Sequence, residues 1–470
     1  IRFKLQQHFR FTLTHRTKAM TSDALSPLLE KARIAQKAYE TFTQEQVDAI
    51  VKAIAKTVFD NAEYLARLAV DETGMGVYED KVLKNRGKAS IIWHNLRDKK
   101  SVGVIDRNEQ TGIISIARPV GVVGSVTPVT NPIATPMGNA MFALKGRNAI
   151  IVAPHPTAKG CTAKTIELIV DAITALGAPE NLVQIIAEPS MELTKALMGS
   201  ADVVVATGGA AMVKAAYGSG KPAYGVGPGN VQVILDRDID FTEAAKKIIT
   251  GRKFDNGIIC SSEQAVIYHH EDREKVLEAF SANGALHIDD PAQADALRRT
   301  LFDGRFMNKH MIGQPIAKIA AAAGIPLPEG TLVIFIPSDG THEDVLRREK
   351  MFPVLAGFEY SNLAEAIATA NENLYIEGQG HSCAVHSNKQ ATIETIALGV
   401  NTSRVVVNQP SSLSAGGSYF NGFAPTTTLG CGSWGNNSIS ENLDYKHLIN
   451  IQRIGMPIQA TIPSYEELWS

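Results

Sequence analysis

The stretch NAIIVAPHPTAKGCTAKTIELIVDAITALG, residues 148–177, decides the fold. Its first part, AIIVA, is a short apolar run and predicts a buried strand. Its second part repeats apolar residues at three- and four-residue intervals, which predicts a helix packed on one face. Three more strand-then-helix units lie around it, beginning near residues 120, 181 and 201. Four such units predict a parallel, doubly wound sheet, which binds ligands at the carboxyl ends of its strands.

The rest of the chain is organised around this sheet. Helical patterns fill residues 23–99, and two strands joined by a polar turn are predicted within residues 101–121. A second alternation of strands and helices runs from residue 231 to about residue 407 and predicts another α/β domain with its own core. The tail from residue 426 is rich in Gly, Ser and Asn and then becomes strand-like. The predicted fold class is therefore α/β.

The composition limits the class of protein. The chain has 470 residues, of which 44% are hydrophobic and 20% charged, as is typical of a soluble globular enzyme with two or three domains. Its net charge of −2 favours neither nucleic acid nor an anionic membrane surface. No apolar run approaches the ~18 residues of a membrane span. The four cysteines lie far apart, so we predict no disulfide framework, no metal site and a reducing cytoplasm.

Residues 1–20, IRFKLQQHFRFTLTHRTKAM, are unlike the rest, with five basic residues and no acidic one. They lack the cleavage site and the sustained apolar core of a secretory signal. The segment is either an organellar leader or an appended remnant of upstream sequence, with Met20 as the natural start. We favour the remnant, because a transit peptide is usually richer in Ser.

The motif FDNGIIC, residues 254–260, places Cys260 behind an Asn-Gly turn and directly before strand-like sequence. A small, half-buried hydrophobe would explain this cysteine. A nucleophile on a loop is the sharper interpretation, since a thiol becomes reactive when nearby cations or N–H donors lower its pKa. A side-chain amide aimed at the same oxygen as the Cys260 N–H would complete an oxyanion hole.

Three other segments carry candidate site residues. The proline-rich loop VTPVTNPIATP, residues 126–136, holds Asn131, which is either such an amide or the cap of the next helix. The Thr207-Gly208-Gly209 turn follows a strand and would let a phosphate or a ribose approach a helix N-terminus, although it falls short of the dinucleotide fingerprint. His381, between a Gly-rich turn and a strand, is a possible accessory residue.

Together these motifs resemble the aldehyde dehydrogenase superfamily, and more closely its CoA-acylating branch. The resemblance covers residues 26–470 and is most specific in PHPTAKG, GRKFDNGIICSSEQ, EKMFPVLA and PTTTLGCGSWGNNSISENL. The YGVGPGN segment and the PSYEE ending are similar to acylating succinate-semialdehyde and sulfoacetaldehyde dehydrogenases. The resemblance implies a doubly wound cofactor domain, an α/β catalytic domain and a strand-based oligomerisation region. The implied ranges are 21–99 and 118–230 for the cofactor domain, 231–425 for the catalytic domain, and 100–117 and 426–470 for oligomerisation.

The resemblance also implies roles for matching residues. Cys260 matches the nucleophile that attacks the aldehyde, and Asn131 matches the amide that stabilises the oxyanion. Glu349, in EKMFPV, matches the acid that holds the nicotinamide ribose. The residues implied at the cofactor are Thr127, His155, Pro156, Thr207, Gly208, Gly209, Gly225 and Glu349.

The chain departs from the pattern of hydrolytic aldehyde dehydrogenases at one position that affects how the acyl group leaves Cys260. Hydrolytic aldehyde dehydrogenases have a glutamate general base where this chain has Gly225. Without a base to activate water, the thiolate of coenzyme A is the expected acceptor. A hydrolytic aldehyde dehydrogenase and a non-catalytic scaffold are the alternatives. The joint presence of Asn131, Cys260 and Glu349 disfavours the scaffold.

The implied reaction is aldehyde + CoA + NAD(P)⁺ ⇌ acyl-CoA + NAD(P)H + H⁺, through a thioester on Cys260. The resemblance implies a short anionic aldehyde, either succinate semialdehyde or sulfoacetaldehyde, with acetaldehyde as the alternative. The cofactor is NADP or NAD, because VAPHPTAKG offers no carboxylate to repel a 2′-phosphate. The relatives imply a homodimer or a homotetramer. The serines of NQPSSLSAGGSYF, residues 408–420, are candidate donors to the substrate tail: Ser411, Ser412 and Ser414.

Overall fold

A computed structural model describes residues 24–470, so the prediction for residues 1–20 lies outside the described part. The described chain forms parallel sheets of five and seven strands, a three-stranded antiparallel sheet and a two-stranded hairpin. None of its helices is long and apolar enough to cross a membrane.

The helices are α1 (24–39), α2 (Gln44–Asp60), α3 (Ala62–Thr73), α4 (Tyr78–Leu96), α5 (Ala134–Lys145), α6 (Lys159–Thr174), α7 (Met191–Ser200), α8 (Ala210–Tyr217), α9 (Phe241–Lys253), α10 (Arg273–Ala282), α11 (Pro291–Leu301), α12 (Ile316–Ala323), α13 (Leu363–Ile376), α14 (Gln390–Gly399), α15 (Ser411–Ser414) and α16 (Tyr465–Trp469). The strands are β1 (Gly103–Asn108), β2 (Ile113–Pro119), β3 (Val122–Val126), β4 (Ala149–Ala153), β5 (Val183–Ile185), β6 (Val203–Thr207), β7 (Ala223–Val226), β8 (Val231–Leu235), β9 (Glu263–His269), β10 (Ala285–His287), β11 (Phe302–Asp303), β12 (Phe306–Met307), β13 (Val333–Pro337), β14 (Val354–Tyr360), β15 (Cys383–His386), β16 (Val405–Val407) and β17 (Ile449–Gly455).

The five-stranded sheet has the order β5-β4-β3-β6-β7, and all its neighbouring strands are parallel. It contains the four predicted units, β3-α5, β4-α6, β5-α7 and β6-α8, which confirms the doubly wound arrangement. The strands β3, β4 and β6 are buried at every residue, as expected for a parallel sheet covered on both faces. The strand order reverses between β3 and β6, so the loops after these strands border a crevice.

The seven-stranded sheet has the order β10-β13-β14-β9-β8-β15-β16 and is also parallel throughout. The two sheets are joined between β7 and β8 by residues 227–230. This short link carries the chain from the carboxyl edge of the first sheet directly to the amino edge of the second. The amino ends of β8, β9 and β14 therefore lie near the crevice.

The link has no room for a side chain at Gly229. A Cβ atom placed on Gly229 would lie 1.7 Å from the carbonyl oxygen of Cys260. The Gly229 N–H donates to Glu349 Oε1 at 2.9 Å, and the Asn230 side-chain amide donates to the carbonyl of Arg347 at 2.7 Å. The segments before β8, β9 and β14 are thus fixed against one another.

The third sheet has the order β1-β2-β17 and is antiparallel. It contains the predicted hairpin and the strand-like part of the tail. Its outer strand β17 is largely exposed, as are residues 456–470. Residues 426–448 do not join this sheet: Thr428 Oγ1 lies 2.9 Å from Thr207 Oγ1, and Leu429 packs into the core of the seven-stranded sheet.

The packing of the link predicts that substitution of its two glycines, Gly227 and Gly229, has different effects on stability. We expect Gly229→Ala to destabilise the protein by at least about 2 kcal/mol, because neither backbone can move away easily. Gly227→Ala is the matched control, since nothing lies within 4 Å of a Cβ there. Thermal unfolding of the two variants measures the difference. Equal midpoints would show that the link is looser than described.

Candidate active site

Cys260 follows a tight left-handed turn. The helix α9 ends at Lys253, and Asp255, Asn256 and Gly257 then have φ angles of 52°, 53° and 73°. Asn and Asp tolerate this backbone region better than other residues, and Gly enters it freely. A side chain on Gly257 would also lie 2.5 Å from the Phe352 carbonyl oxygen. The Asn-Gly turn expected from the sequence is therefore one residue longer than the dipeptide suggests.

The Asp255 carboxylate holds the turn in place. It accepts from the Val77 N–H at 2.9 Å, from Lys81 Nζ at 3.1 Å and from Lys84 Nζ at 2.6 Å. Burial acts to raise the pKa of Asp255, but the two ammonium groups hold it below its ordinary value. The Asn256 side-chain amide donates to the Gly313 carbonyl at 2.9 Å. Side-chain contacts from distant segments thus stabilise a backbone that is unfavourable in isolation.

Cys260 opens into a cavity of about 660 Å³. It is half-buried, whereas the other three cysteines are buried. The cavity is lined by residues of α4, by the segment around Cys260 and by the loop 408–420. Asn131 lines the same cavity, so the structure brings together the two residues predicted for catalysis.

Asn131 does not cap the following helix, and its role as an amide donor stays a prediction. The N-cap of α5 is Ile133, and no side chain caps that helix. The Asn131 amide makes one long contact, 3.4 Å to Thr130 Oγ1. Its backbone carbonyl accepts from the Thr135 N–H at 3.2 Å, which fixes the loop. The amide therefore has hydrogen-bonding capacity left for a ligand oxygen in the cavity.

The electrostatic environment of Cys260 keeps its thiol from ionising in the free protein. Burial raises the pKa of the Cys260 thiol to about 12, and the Glu349 carboxylate adds to the rise. The Arg404 guanidinium opposes both effects without cancelling them. In the free protein, desolvation of the thiol outweighs the nearby cation. The thiol is protonated at neutral pH until something else enters the site.

The crevice between β3 and β6 holds the predicted cofactor residues Thr127 and Thr207. Both are buried at the carboxyl edge of the sheet, and Thr127 Oγ1 has no hydrogen-bond partner in the described structure. Gly208 follows, and Gly209 is the N-cap of α8, which leaves N–H groups of that helix end facing outward. An orphaned hydroxyl beside a helix N-terminus suits the phosphate and ribose groups of a dinucleotide.

His155 and Pro156 follow β4 at the same edge. His155 caps a short 3₁₀ turn that begins at Pro156, its Nδ1 accepting from the Thr157 N–H at 3.3 Å. Burial lowers the pKa of His155, so its imidazole is neutral at neutral pH. The imidazole is thus oriented toward its own turn by a local hydrogen bond.

Residues 152–160 contain no carboxylate, but two acids from other segments lie beside them. Lys159 Nζ pairs with Glu188 at 2.5 Å. The Glu72 carboxylate accepts from the N–H groups of Gly160 and Cys161 at 2.8 and 2.7 Å. Both acids come from segments distant in sequence, which inspection of residues 152–160 alone does not show.

Gly225 lies in β7 with its missing side chain directed at α8. A Cβ atom there would lie 2.8 Å from Val213 Cγ1 and 3.0 Å from Tyr217 Cε2. The Tyr217 hydroxyl accepts from the Gly225 N–H at 2.8 Å. A glutamate at this position would have to displace Tyr217, so the packing itself disfavours a general base here.

Glu349 is fully buried beside the link and does not line the cavity. Glu349 accepts a hydrogen bond from the Gly229 N–H, and its carboxyl group is harder to ionise than an exposed one. Burial raises the pKa of Glu349 to about 8, and the Glu377 carboxylate contributes. Because Glu349 also acts on the thiol, it belongs to the surroundings of Cys260 while its ribose role stays a prediction.

The structure does not bring His381 into the cavity. Its side chain is fully buried, with Nδ1 3.0 Å from Ser382 Oγ and Nε2 without a partner in the described residues. Burial lowers the pKa of His381 to about 3. A role as a proton carrier in the free protein is therefore not supported.

Sequence reasoning missed the contribution of α4. Lys84, Gly87, Lys88 and Ile91 lie at helical spacing on one face of this helix and line the cavity opposite Cys260. Lysines repeated on an otherwise apolar face would have been a usable signal. What the sequence alone does not give is that this face meets the cavity.

Comparison with known proteins identifies the family. The aldehyde dehydrogenase family model matches residues 7–300. The chain is 54% identical over 448 residues to the acetylating succinate-semialdehyde dehydrogenase of Clostridium kluyveri, with 95% of this chain and 99% of the relative covered. The chain belongs to the aldehyde dehydrogenase family. It is also 40% identical to a sulfoacetaldehyde dehydrogenase from Acholeplasma, with 94% and 92% covered.

Solved structures of aldehyde dehydrogenases share the fold. An acetylating enzyme from Geobacillus thermoglucosidasius has a TM-score of 0.91 at 35% identity, with 95% of this chain and 99% of that chain covered. A propionaldehyde dehydrogenase from Rhodopseudomonas palustris, solved with bound CoA and an acylated cysteine, has a TM-score of 0.82 at 28% identity, with 92% and 97% covered. The fold and the acylating branch implied by the resemblance are confirmed, and the protein is an oxidoreductase.

The buried thiol predicts a distinctive pH profile for alkylation of the free aldehyde dehydrogenase. With a pKa of about 12 for Cys260, the iodoacetamide rate should rise about tenfold per pH unit from pH 7 to 9, because only the thiolate reacts. Mass spectrometry of the labelled protein measures the rate at Cys260. Cys260→Ala is the control for slow labelling of the three buried cysteines. A plateau below pH 9 would contradict the prediction.

Proposed function

We propose that the protein is a CoA-acylating succinate-semialdehyde dehydrogenase that uses NADP or NAD. The observation that carries this proposal is an unpaired lysine in the cavity that contains Cys260. Lys88 lines this cavity from α4, and its ammonium donates to the Gly416 carbonyl at 2.8 Å. Among the described residues, no carboxylate lies within ion-pair distance of it.

The ammonium of Lys88 is arranged to bind an anion. Burial lowers the pKa of Lys88 to about 8, so the group is still charged at neutral pH but lacks a counter-ion. An unpaired, desolvated cation favours a ligand that brings the opposite charge. A short aldehyde with a carboxylate tail supplies this charge while its carbonyl reaches Cys260.

The loop 408–420 supports the same conclusion. Ser412 and Ser414 line the cavity, and the buried Ser412 hydroxyl has no partner in the described structure. Ser411 does not line the cavity; its backbone N–H donates to Glu263 Oε1 at 2.5 Å and fixes the start of the loop. Of the three predicted serine donors, Ser412 is thus the best placed for a carboxylate oxygen.

Cys260 and Asn131 carry the chemistry that we propose for this chain. The Cys260 thiol loses its proton to solvent and its sulfur adds to the aldehyde carbon. The Asn131 amide donates to the carbonyl oxygen, which gains negative charge. A nicotinamide cofactor held near Thr127 and Thr207 would supply the acceptor for the hydride of this carbon. The resulting thioester on Cys260 is then attacked by the CoA thiol, and the S–C bond to Cys260 breaks. The packing at Gly225 leaves no general base there to activate water instead.

Sulfoacetaldehyde and acetaldehyde are the competing substrates. A sulfonate would also pair with Lys88, whereas acetaldehyde leaves this ammonium without a counter-ion. Identity to the Clostridium kluyveri enzyme exceeds that to the Acholeplasma enzyme, 54% against 40%, and this favours the carboxylate.

We also propose a homodimer or homotetramer in the cytoplasm. The strands β16 and β17 are edge strands of their sheets, and β17 exposes Ile451 and Ile454. Free edges with apolar side chains are usually covered in a stable protein. Light scattering of the purified protein distinguishes these assemblies from a monomer.

The function is tested by NADPH and NADH production with each of the three aldehydes, with and without CoA. We expect turnover to require CoA and succinate semialdehyde to have the highest kcat/KM. Equal oxidation without CoA would reject the acylating reaction. A higher kcat/KM for sulfoacetaldehyde or acetaldehyde would reject the proposed substrate alone.

The role of Lys88 predicts a specific change in KM. Lys88→Met should raise the KM for succinate semialdehyde about 10-fold or more, with little effect on acetaldehyde, because a charge-assisted contact is lost. In the unchanged protein, the same KM should rise above pH 8, where the lysine loses its proton. Lys214→Met, on the exposed face of α8, is the matched control. An equal loss with acetaldehyde would contradict this role.

A further inference from the structure

Lys84 connects the two loops that carry the predicted catalytic residues. Its ammonium lies 2.6 Å from Asp255 Oδ2, in the turn before Cys260, and 3.3 Å from the carbonyl oxygen of Thr130, next to Asn131. Its side chain also lines the cavity. In the described part of the chain, it is the one side chain that hydrogen-bonds both to residues 127–133 and to residues 254–257.

The two contacts of Lys84 are not equally replaceable. Asp255 also accepts from Lys81 and from the Val77 N–H, so its carboxylate keeps a cation and a backbone donor if Lys84 is lost. Lys81 makes no hydrogen bond to the Thr130 carbonyl among the described contacts. The bond to Thr130 is therefore the contribution that is specific to Lys84.

The other described hydrogen bonds between distant segments and the loop 127–133 lie on the side away from Cys260. Thr162 Oγ1 donates to the Pro132 carbonyl at 3.1 Å, and the Thr127 N–H donates to the Ala153 carbonyl at 3.1 Å. These bonds attach the loop to α6 and to β4 of the five-stranded sheet, and not to the Cys260 segment. Without Lys84, the separation of the Asn131 amide from the Cys260 sulfur depends on general packing alone.

We propose that Lys84 is a positioning residue that sets the separation between the Asn131 amide and the Cys260 thiol. An oxyanion donor must lie within hydrogen-bond distance of the oxygen while the sulfur reaches the adjacent carbon. Small displacements of either group cost large factors in rate. Lys84 Nζ binds both loops, so the position of this one atom on α4 fixes the distance between them.

Two reagents separate this role from other roles of a cavity lysine. Iodoacetamide alkylates the Cys260 sulfur by displacement of iodide, without an oxyanion. 4-Nitrophenyl acetate acylates the same sulfur through a tetrahedral oxyanion, forms the S–C bond and releases 4-nitrophenolate. The ratio of the two rates reports the oxyanion geometry, and neither reagent carries a negative charge. The measurement of these two rates requires no nicotinamide cofactor, aldehyde or CoA.

The experiment compares Lys84→Met with Lys84→Arg and with Lys81→Met as the matched control. We expect Lys84→Met to slow acylation by 4-nitrophenyl acetate about 10- to 100-fold, with iodoacetamide alkylation changed less than about threefold. Lys84→Arg, which retains a donor to both oxygens, should restore most of the acylation rate. Lys81→Met should leave the ratio unchanged.

Other outcomes overturn the proposal. If both rates fall together in Lys84→Met, the lysine only supports the turn before Cys260. If neither rate changes but the KM for succinate semialdehyde rises, Lys84 is a second anchor for the substrate anion. The proposal rests on the proposed function for its physiological meaning, but CoA-independent turnover in the aldehyde assay would not alter the ratio measured here.

Discussion

The short link between β7 and β8 is the constraint on which the site depends. Residues 227–230 leave no slack, so the crevice edge of one parallel sheet meets the amino edge of the other. Gly229 touches the Cys260 carbonyl and donates to Glu349, which places the predicted nucleophile and the predicted ribose ligand on a common support. The cavity then forms on the other side of Cys260, against α4.

The charges around the site are organised mainly by burial. Desolvation keeps the Cys260 thiol and the Glu349 carboxyl from ionising readily, and it lowers the pKa of Lys88 to about 8. A buried site of this kind gains more from an incoming charge than an exposed site would. Asp255 behaves in the opposite way, because two lysines compensate its desolvation. The site thus contains one fully paired ion cluster, Asp255 with Lys81 and Lys84, which fixes the backbone. Lys88, by contrast, lines the cavity without a counter-ion among the described residues.

Local sequence signals predicted much of this organisation. The alternation of short apolar runs and helices around residues 148–177 predicted the doubly wound sheet, and the FDNGIIC and VTPVTNPIATP motifs indicated Cys260 and Asn131. The parts that were missed depend on contacts between distant segments. Glu188 reaches Lys159 from the loop after β5, and the lysine face of α4 meets Cys260 across more than 170 positions. The raised pKa of Cys260 has the same origin, since desolvation is a property of the assembled packing and not of a motif.

The protonated state of Cys260 has a consequence for the lifetime of the protein. Peroxides oxidise thiolates far faster than thiols, and the first product, a sulfenic acid, can proceed to irreversible forms. A half-buried cysteine with a pKa of about 12 offers almost no thiolate to such oxidants between turnovers. We therefore expect the desolvation that raises the pKa of Cys260 also to slow its oxidation in the free protein.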